Sequence, residues 1–418
     1  MAEKINKYIV SKYIDDFNFG ILKSEVSNLE DLNILDHQVS LGFLYKIGDN
    51  YLLSQTGFYG LQLGKKTSKE LLKLRFSRTK VWSFSELEMY NMCPLRYKLT
   101  KIDKLPQRIN AYGVYGGFTH EILEKYYQGF FNNVNFTPYD LFEKGIKRLE
   151  MLGLTLPSEI IQENYKNNMF DFFKSISNIK YNDFKSNRLE TEVLYKFFDT
   201  EWITGYIDLV EIVSYDKENK IHHVNVMDFK TSTMYDENSI DEYANQLLLY
   251  AYMLEKLYPN IKVDNIGWKF LKYCKITIGN KTKINERINK YEGFKVQLKK
   301  VLNGDGDSAE QIILNNLIPD DIKHNIKEEE CIIYYPYNLE KVNNLLNFIK
   351  NTINNININK DNPYNSCNIL DSEYFCKNLC GVYDFCDKFK ESQYNKMSMI
   401  TDNAILNFEH ELNKIIKE

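Results

Sequence analysis

The spacing of apolar and polar positions changes character several times along the chain. Over residues 1–80, apolar stretches such as VSLGFLYKI and DNYLLSQTGFYGLQLG alternate with polar ones and predict short strands and turns. From Ser85 the period lengthens. Ser85 and Glu88 have capping-box spacing, and the following ELEMYNMCPLRYKL predicts a helix ending at Cys93, directly before Pro94. A second helix is predicted through GGFTHEILEKYYQGFF, and helical spacing continues to about residue 180. There the period shortens to two. TEVLYKFF and TEWITGYIDLVEIVSY predict strands, and DKENK joins the second of these to IHHVNVMDFKTS as a hairpin. Leu247, Leu248, Ala251 and Leu254 mark a long helix from about Ile240 to Leu257. DNIGWKFLKYCKITI and CIIYYPY predict further strands, and EKVNNLLNFIKNTINNI a late helix. NGDGDS reads as a turn, without the Gly and Glu offsets of a calcium loop. There is no internal repeat. The order of elements predicts an α/β or α+β chain with a mixed sheet at its centre and helices around it.

Composition narrows the class of molecule. The 418 residues are 44% hydrophobic and 26% charged, ordinary globular values that exclude a disordered or fibrous chain. Lys and Arg number 53 against 57 Asp and Glu, a net charge of −4, which argues against coating nucleic acid by bulk charge but leaves room for a local basic groove. No apolar run reaches the roughly 18–20 residues of a membrane span, and the first residues have no secretory core, so the expectation is a soluble, cytoplasmic protein with no membrane partner. Lys65, Lys66, Lys69, Lys73, Arg75, Arg78 and Lys80 are opposed only by Glu70; they read as a solvated helix face or a strip that meets phosphates. GLQLGKKTS, from Gly60, is one residue short of a phosphate-binding loop, so nucleotide hydrolysis is not expected. The Asn-, Lys- and Ile-rich usage suggests an AT-rich genome, such as that of a phage or mobile element.

VMDFKTS carries the clearest chemistry. Alternation along a strand points Asp228 and Lys230 the same way and Phe229 the other. A carboxylate binds a hard cation, and a neighbouring ammonium holds water or steadies a phosphorane-like transition state. Alone, Asp-x-Lys is commonly a surface ion pair. In GYIDLV, however, Asp208 stands between Ile207 and Leu209, where a carboxylate is costly unless paired or metal-bound. Cross-strand pairing could bring it to Asp228 and complete a Mg²⁺ or Mn²⁺ site. Gln246 and Tyr250, at i and i+4 on the next helix, share a face and either pack on the sheet or support the site. His120 is a lone helical histidine, structural or a metal ligand.

FCKNLCGVYDFCDKF holds Cys376, Cys380 and Cys386 close together, and three such cysteines want a fourth for thiolate ligation of zinc or an iron–sulfur cluster. Cys93 and Cys367 are the candidates. Cys274 and Cys331 lie in apolar strands and read as buried hydrophobes. Spacing does not choose between iron–sulfur and zinc.

Taken in order, SFSELEMYNMCPLRYKL, GGFTH, GYIDLV, MDFKTS, QLLLY and FCKNLCGVYDFC resemble the PD-(D/E)XK nuclease superfamily, over about residues 83–390. The resemblance is closest to its iron–sulfur branch, related to RecB and AddB nuclease domains and CRISPR-associated exonucleases. It implies a restriction-endonuclease-like core with helical elements stapled by a cluster. It implies that His120, Asp208, Asp228 and the Phe229 carbonyl bind the divalent metal, that Lys230 positions the hydrolytic water, and that Gln246 and Tyr250 support the site. It implies that Cys93, Cys376, Cys380 and Cys386 hold a 4Fe-4S cluster. Three residues, not the commoner two, separate Cys376 from Cys380, which keeps Cys367 as a substitute. The resulting expectation is a metal-dependent DNA exonuclease acting on single-stranded ends in recombination, repair or replication, with a helicase or other replication protein as partner. A silent DNA-binding subunit and a zinc-stapled structural protein are the alternatives. The expected organisation is a region of unknown role at 1–80, a nuclease domain at 81–392 and a terminal helix at 393–418.

Overall fold

The computed structural model describes residues 20–53 in part, 68–179 apart from 106 and 109, 188–198, 201–236, 240–359 and 373–390. In chain order the first elements are β1 (Gly20–Ile21), α1 (Leu29–Ser40), β2 (Leu44–Ile47), β3 (Asn50–Leu53), α2 (Lys69–Phe76) and β4 (Val81–Ser83). Then come α3 (Phe84–Met92), α4 (Pro94–Tyr97), α5 (Ala111–Tyr127), α6 (Pro138–Met151) and α7 (Glu159–Ser177). The strands β5 (Arg188–Lys196), β6 (Trp202–Asp216) and β7 (Ile221–Lys230) precede α8 (Ile240–Leu257). After it come β8 (Ile261–Ile278), β9 (Lys281–Glu286), α9 (Lys295–Val301), α10 (Gly306–Asn315), β10 (Ile326–Pro336), α11 (Leu339–Ile358) and α12 (Glu373–Asn378). The chain divides into two compact units, Met1–Trp82 with Ala111–Asn347, and Ser83–Asn110 with Phe348–Glu418.

The larger unit is organised by a mixed sheet in the order β10-β8-β7-β6-β4, with β5 on β6 and β9 on β8. The predicted hairpin is β6–β7. Its turn is closed by Asp216, whose side chain accepts from the amides of Glu218 and Asn219, while Lys220 takes a left-handed φ of 56°. β7 and β8 are parallel, and a parallel pair needs a crossover; α8 supplies it, over the range its apolar spacing predicts. Val224, Val226, Met227 and Phe229 of β7 and Leu247, Leu248, Ala251 and Leu254 of α8 are buried, each large side chain contributing about 1.5–3 kcal/mol. A second core, with Cys274, Ile276, Tyr291, Phe294 and Leu298, supports the far ends of β8 and β9. The central mixed sheet flanked by helices is that of a restriction-endonuclease-like fold.

Three local expectations are corrected. VSLGFLYKI is not one strand: Val39 and Ser40 end the helix α1, and β2 begins at Leu44 to pair with β3. Leu35, Leu44 and Tyr51 form a small core there, which favours the helix over an isolated strand. The cap of α3 is Ser83, not Ser85; Ser83 Oγ accepts from the Glu86 amide, because its backbone is extended (φ −124°, ψ 154°) where Ser85 is already helical. NGDGDS gives way to helix at Gly306, where Asp305 accepts from the amides of Asp307 and Ser308. The segment from Gly60, the lysines 65 and 66, Cys367 and the helix expected at 393–418 lie outside the described residues.

In the smaller unit the helical run breaks at Cys93, whose extended backbone (φ −155°, ψ 93°) separates α3 from α4 as Pro94 requires of its predecessor. Leu99, Cys376, Val382, Cys386 and Phe389 form its core. The Arg108 amide donates to the Gly381 carbonyl at 2.7 Å, and its guanidinium pairs with Asp384 and Tyr383. Asn91 bonds Thr352 at 3.1 Å, so residues far apart in sequence close this unit.

Candidate active site

The site stands in the larger unit, where β6 and β7 pass beside α5 and α8. The pairing Leu209↔Met227 places Asp208 and Asp228 as the next residues along the hairpin. Asp208 Oδ2 accepts from the Phe229 amide at 2.8 Å and lies 3.3 Å from His120 Nδ1 of α5. Lys230 Nζ stands 2.8 Å from Asp228 Oδ2. Gln246 Nε2 donates to Tyr250 Oη at 3.2 Å. Gly205 makes room for that phenol: a Cβ there would fall 2.3 Å from Tyr250 Cε1. His120, Asp208, Asp228 and Lys230 are thus gathered by the fold, and Gln246 and Tyr250 are joined to each other as their i,i+4 spacing predicts.

The electrostatics separate the two acids. Burial pushes the Asp208 carboxyl up, but His120, the Phe229 amide and Lys230 outweigh it and hold the group below the ordinary carboxylate range. For Asp228, burial again pushes up, Lys230 pulls down, and the Asp208 charge pushes up; the net shift is upward. Burial pulls the Lys230 ammonium down, yet Asp228 foremost raises it overall, so it is cationic at any working pH. Burial pushes the Tyr250 phenol up to about 12, so it keeps its proton.

Two half-buried carboxylates side by side, one of them with its ionisation opposed by the other, suit a divalent cation through oxygen. Among the described residues, no group of three or more His, Cys, Asp or Glu side chains forms a ready metal-ligand cluster. Asp208 and Asp228 are therefore an open pair with His120 at hand, and Cys93, Cys376, Cys380 and Cys386 do not form a closed set. The Sγ of Cys93 accepts from the Arg96 amide and that of Cys386 from the Phe389 amide. Cys274 and Cys331 are buried, as expected.

Sequence reasoning missed two features. Tyr235, in a segment with no periodic signal, stacks on Tyr243 (3.8 Å, 8°) and meets edge-on Trp268 and Phe270, the β8 partners of Asp228 and Lys230. Phe229 stacks on Tyr127 (5.7 Å, 7°), which accepts from the buried Lys269 at 2.8 Å beside a cavity of about 250 Å³. The parallel pairing of Phe229 with Lys269 produces this contact, and it cannot be read without the strand order.

Among the described residues no helix is long and apolar enough to cross a membrane. A search of curated proteins finds no match to this chain. The sequence model of the PD-(D/E)XK nuclease superfamily matches residues 81–387, which span every residue of the site. That superfamily consists of nucleases that generally depend on a divalent metal and act on DNA, commonly with Mg²⁺ or Mn²⁺. With that match over most of its length, and a mixed sheet that brings the two aspartates and the lysine together, the chain belongs to the PD-(D/E)XK nuclease superfamily.

Proposed function

We propose that this chain is a divalent-metal-dependent deoxyribonuclease that acts as an exonuclease on single-stranded DNA ends in recombination, repair or replication. The observation that carries the reading is the convergence of Asp208, Asp228 and Lys230 within one half-buried corner of the hairpin. Asp208 and Asp228, with His120 and the Phe229 carbonyl, would hold Mg²⁺ or Mn²⁺. A bound cation supplies Lewis-acid polarisation of the scissile phosphate and a more acidic water. Lys230, cationic and tethered to Asp228, orients the attacking water and balances charge on the phosphate as the bond breaks. The Tyr250 phenol, fixed by Gln246, keeps its proton to donate toward the substrate. Hydrolysis is direct and leaves no covalent intermediate.

The preference for ends, and a helicase or other replication protein as partner, belong to this reading through the resemblance of the motif order to the RecB and AddB branch. The cysteines are assigned to a 4Fe-4S cluster in the same reading. Its support is that all four lie in the smaller unit and that two of their sulfurs accept amide hydrogen bonds, which suit thiolates. The test is digestion of end-labelled linear and of circular single-stranded DNA. Degradation of the linear form alone is expected; equal cutting of the circle would overturn the exonuclease assignment. Binding without cutting of either form would favour a silent DNA-binding subunit.

A further inference from the structure

Phe229 belongs to the site through its main chain. Its amide donates to Asp208 Oδ2 at 2.8 Å, and its carbonyl is one of the proposed metal ligands. Alternation along β7 sends its side chain to the opposite face from Asp228 and Lys230. That ring is buried, yet it lines the cavity of about 250 Å³, so close packing does not hold it on every side. Two rings of α5 meet it. His120 stands edge-on at 6.0 Å and 80°, and Tyr127 stacks flat at 5.7 Å and 7°.

The Tyr127 ring is itself held. Two helical turns put Tyr127 on the same face of α5 as His120, but it is the last residue of that helix, where helices fray. Lys269 ties it down. The ammonium donates to the phenol oxygen at 2.8 Å, lies 5.5 Å from the ring centre and pairs with Glu330. Lys269 is buried, and it is the β8 partner of Phe229 in the parallel pairing. The strand that registers Phe229 thus also anchors the ring stacked on it.

From this we infer that Tyr127 is a positioning residue for the metal site. Its ring face fixes the Phe229 side chain, and with it the main chain that meets Asp208 and supplies the metal-binding carbonyl. The inference rests on the reading of Asp208 and the Phe229 carbonyl as metal ligands. A bland alternative exists: Tyr127 as a core aromatic that only fills space. Tyr127→Leu separates the two, because it keeps much of the bulk and removes the flat face. Tyr127→Phe keeps the face and loses only the bond from Lys269.

Two readouts are needed. The first uses the metal-free protein and no DNA: amide hydrogen exchange, read residue by residue by fragmentation mass spectrometry. The Phe229 amide should exchange about tenfold faster in Tyr127→Leu, the upper worth of one ring pair, and about threefold faster in Tyr127→Phe. The amides of Ile276 and Ile278, in the second core, should keep their rates. A wild-type rate at Phe229 in Tyr127→Leu overturns the inference, and so does a rise shared equally by Ile276 and Ile278, the mark of a space-filling role. The second readout is Mn²⁺ binding without DNA, followed by electron paramagnetic resonance. Tyr127→Leu should bind about tenfold more weakly than the wild type, with Tyr127→Phe between the two. Unchanged binding in Tyr127→Leu overturns the inference. A wild type that takes up no Mn²⁺ overturns the metal-site reading instead, and the exchange at Phe229 still decides whether Tyr127 holds that main chain. If Tyr127→Leu fails to fold, Tyr127→Phe carries the test by itself: a wild-type rate at Phe229 in that variant counts against the proposal.

Discussion

Gly205→Ala is the perturbation whose consequence is easiest to compute. The new Cβ would lie 2.3 Å from Tyr250 Cε1, 2.4 Å from Cζ and 2.8 Å from Oη. Carbon atoms in contact prefer about 3.5 Å or more, so the ring must withdraw by more than about 1 Å. It cannot do so and keep the 3.2 Å bond from Gln246. Overpacking of this kind costs about 1–3 kcal/mol, and the lost hydrogen bond about 0.5–1.5 kcal/mol. The sum is about 1.5–4.5 kcal/mol, a fall in thermal midpoint of roughly 2–7 °C for a unit this large. A displacement of about 1 Å beside the reacting groups should also cost on the order of 100-fold in cleavage rate. The assay is a double-mutant cycle with Tyr250→Ala, read by thermal scanning. With the ring gone, Gly205→Ala should cost little, giving a coupling energy above about 1 kcal/mol. If Gly205→Ala costs the same with and without the ring, or costs nothing, the steric account is refuted.

The two aspartates should behave oppositely in the metal-free protein. Asp208 is held below 3.8, so its contribution to stability is present above that value and is lost as pH falls through its folded pKa. Asp228 is raised above 3.8, so its contribution is fullest below that value and is lost as pH rises through its folded pKa. At neutral pH with chelator, Asp228→Asn should therefore raise the thermal midpoint and Asp208→Asn lower it; shifts of the same sign would contradict the assigned electrostatics. Burial pushes the Cys274 thiol up to about 12 and Cys331 to about 11, so native alkylation near neutral pH should spare both until the protein is unfolded. Anaerobically purified protein should be brown and carry iron and sulfide, and Cys380→Ala should lose both along with solubility. A colourless protein holding zinc would overturn the cluster assignment.

Much of the site was legible because its residues announce themselves locally. Asp208 in an apolar run and Asp228 two residues from Lys230 need only period-two alternation and a hairpin to meet. The i,i+4 pair of Gln246 and Tyr250 was equally plain. The fold followed from the change of period at about residue 180 and from the crossover helix α8. What stayed hidden depends on register between distant strands. Nothing near Tyr235 in sequence indicates that its ring reaches Trp268 and Phe270 of β8, and the Lys269–Tyr127–Phe229 stack exists only because β8 lies parallel to β7. The helix α1 was missed because its stabilising partners, Leu44 and Tyr51, follow it in a hairpin. The cap at Ser83 was misplaced by two residues because Ser85 and Glu88 repeat the same spacing.

The central claim is that Asp208, Asp228 and Lys230 hydrolyse phosphodiesters with a divalent metal. Its most direct test is cleavage of end-labelled single-stranded DNA by the wild type, Asp228→Ala and Lys230→Ala, with Mg²⁺, with Mn²⁺ and with chelator. The account predicts cutting by the wild type in either metal, none in chelator, and none by the two variants, each still folded. Cleavage that survives in both variants, or in chelator, would contradict it.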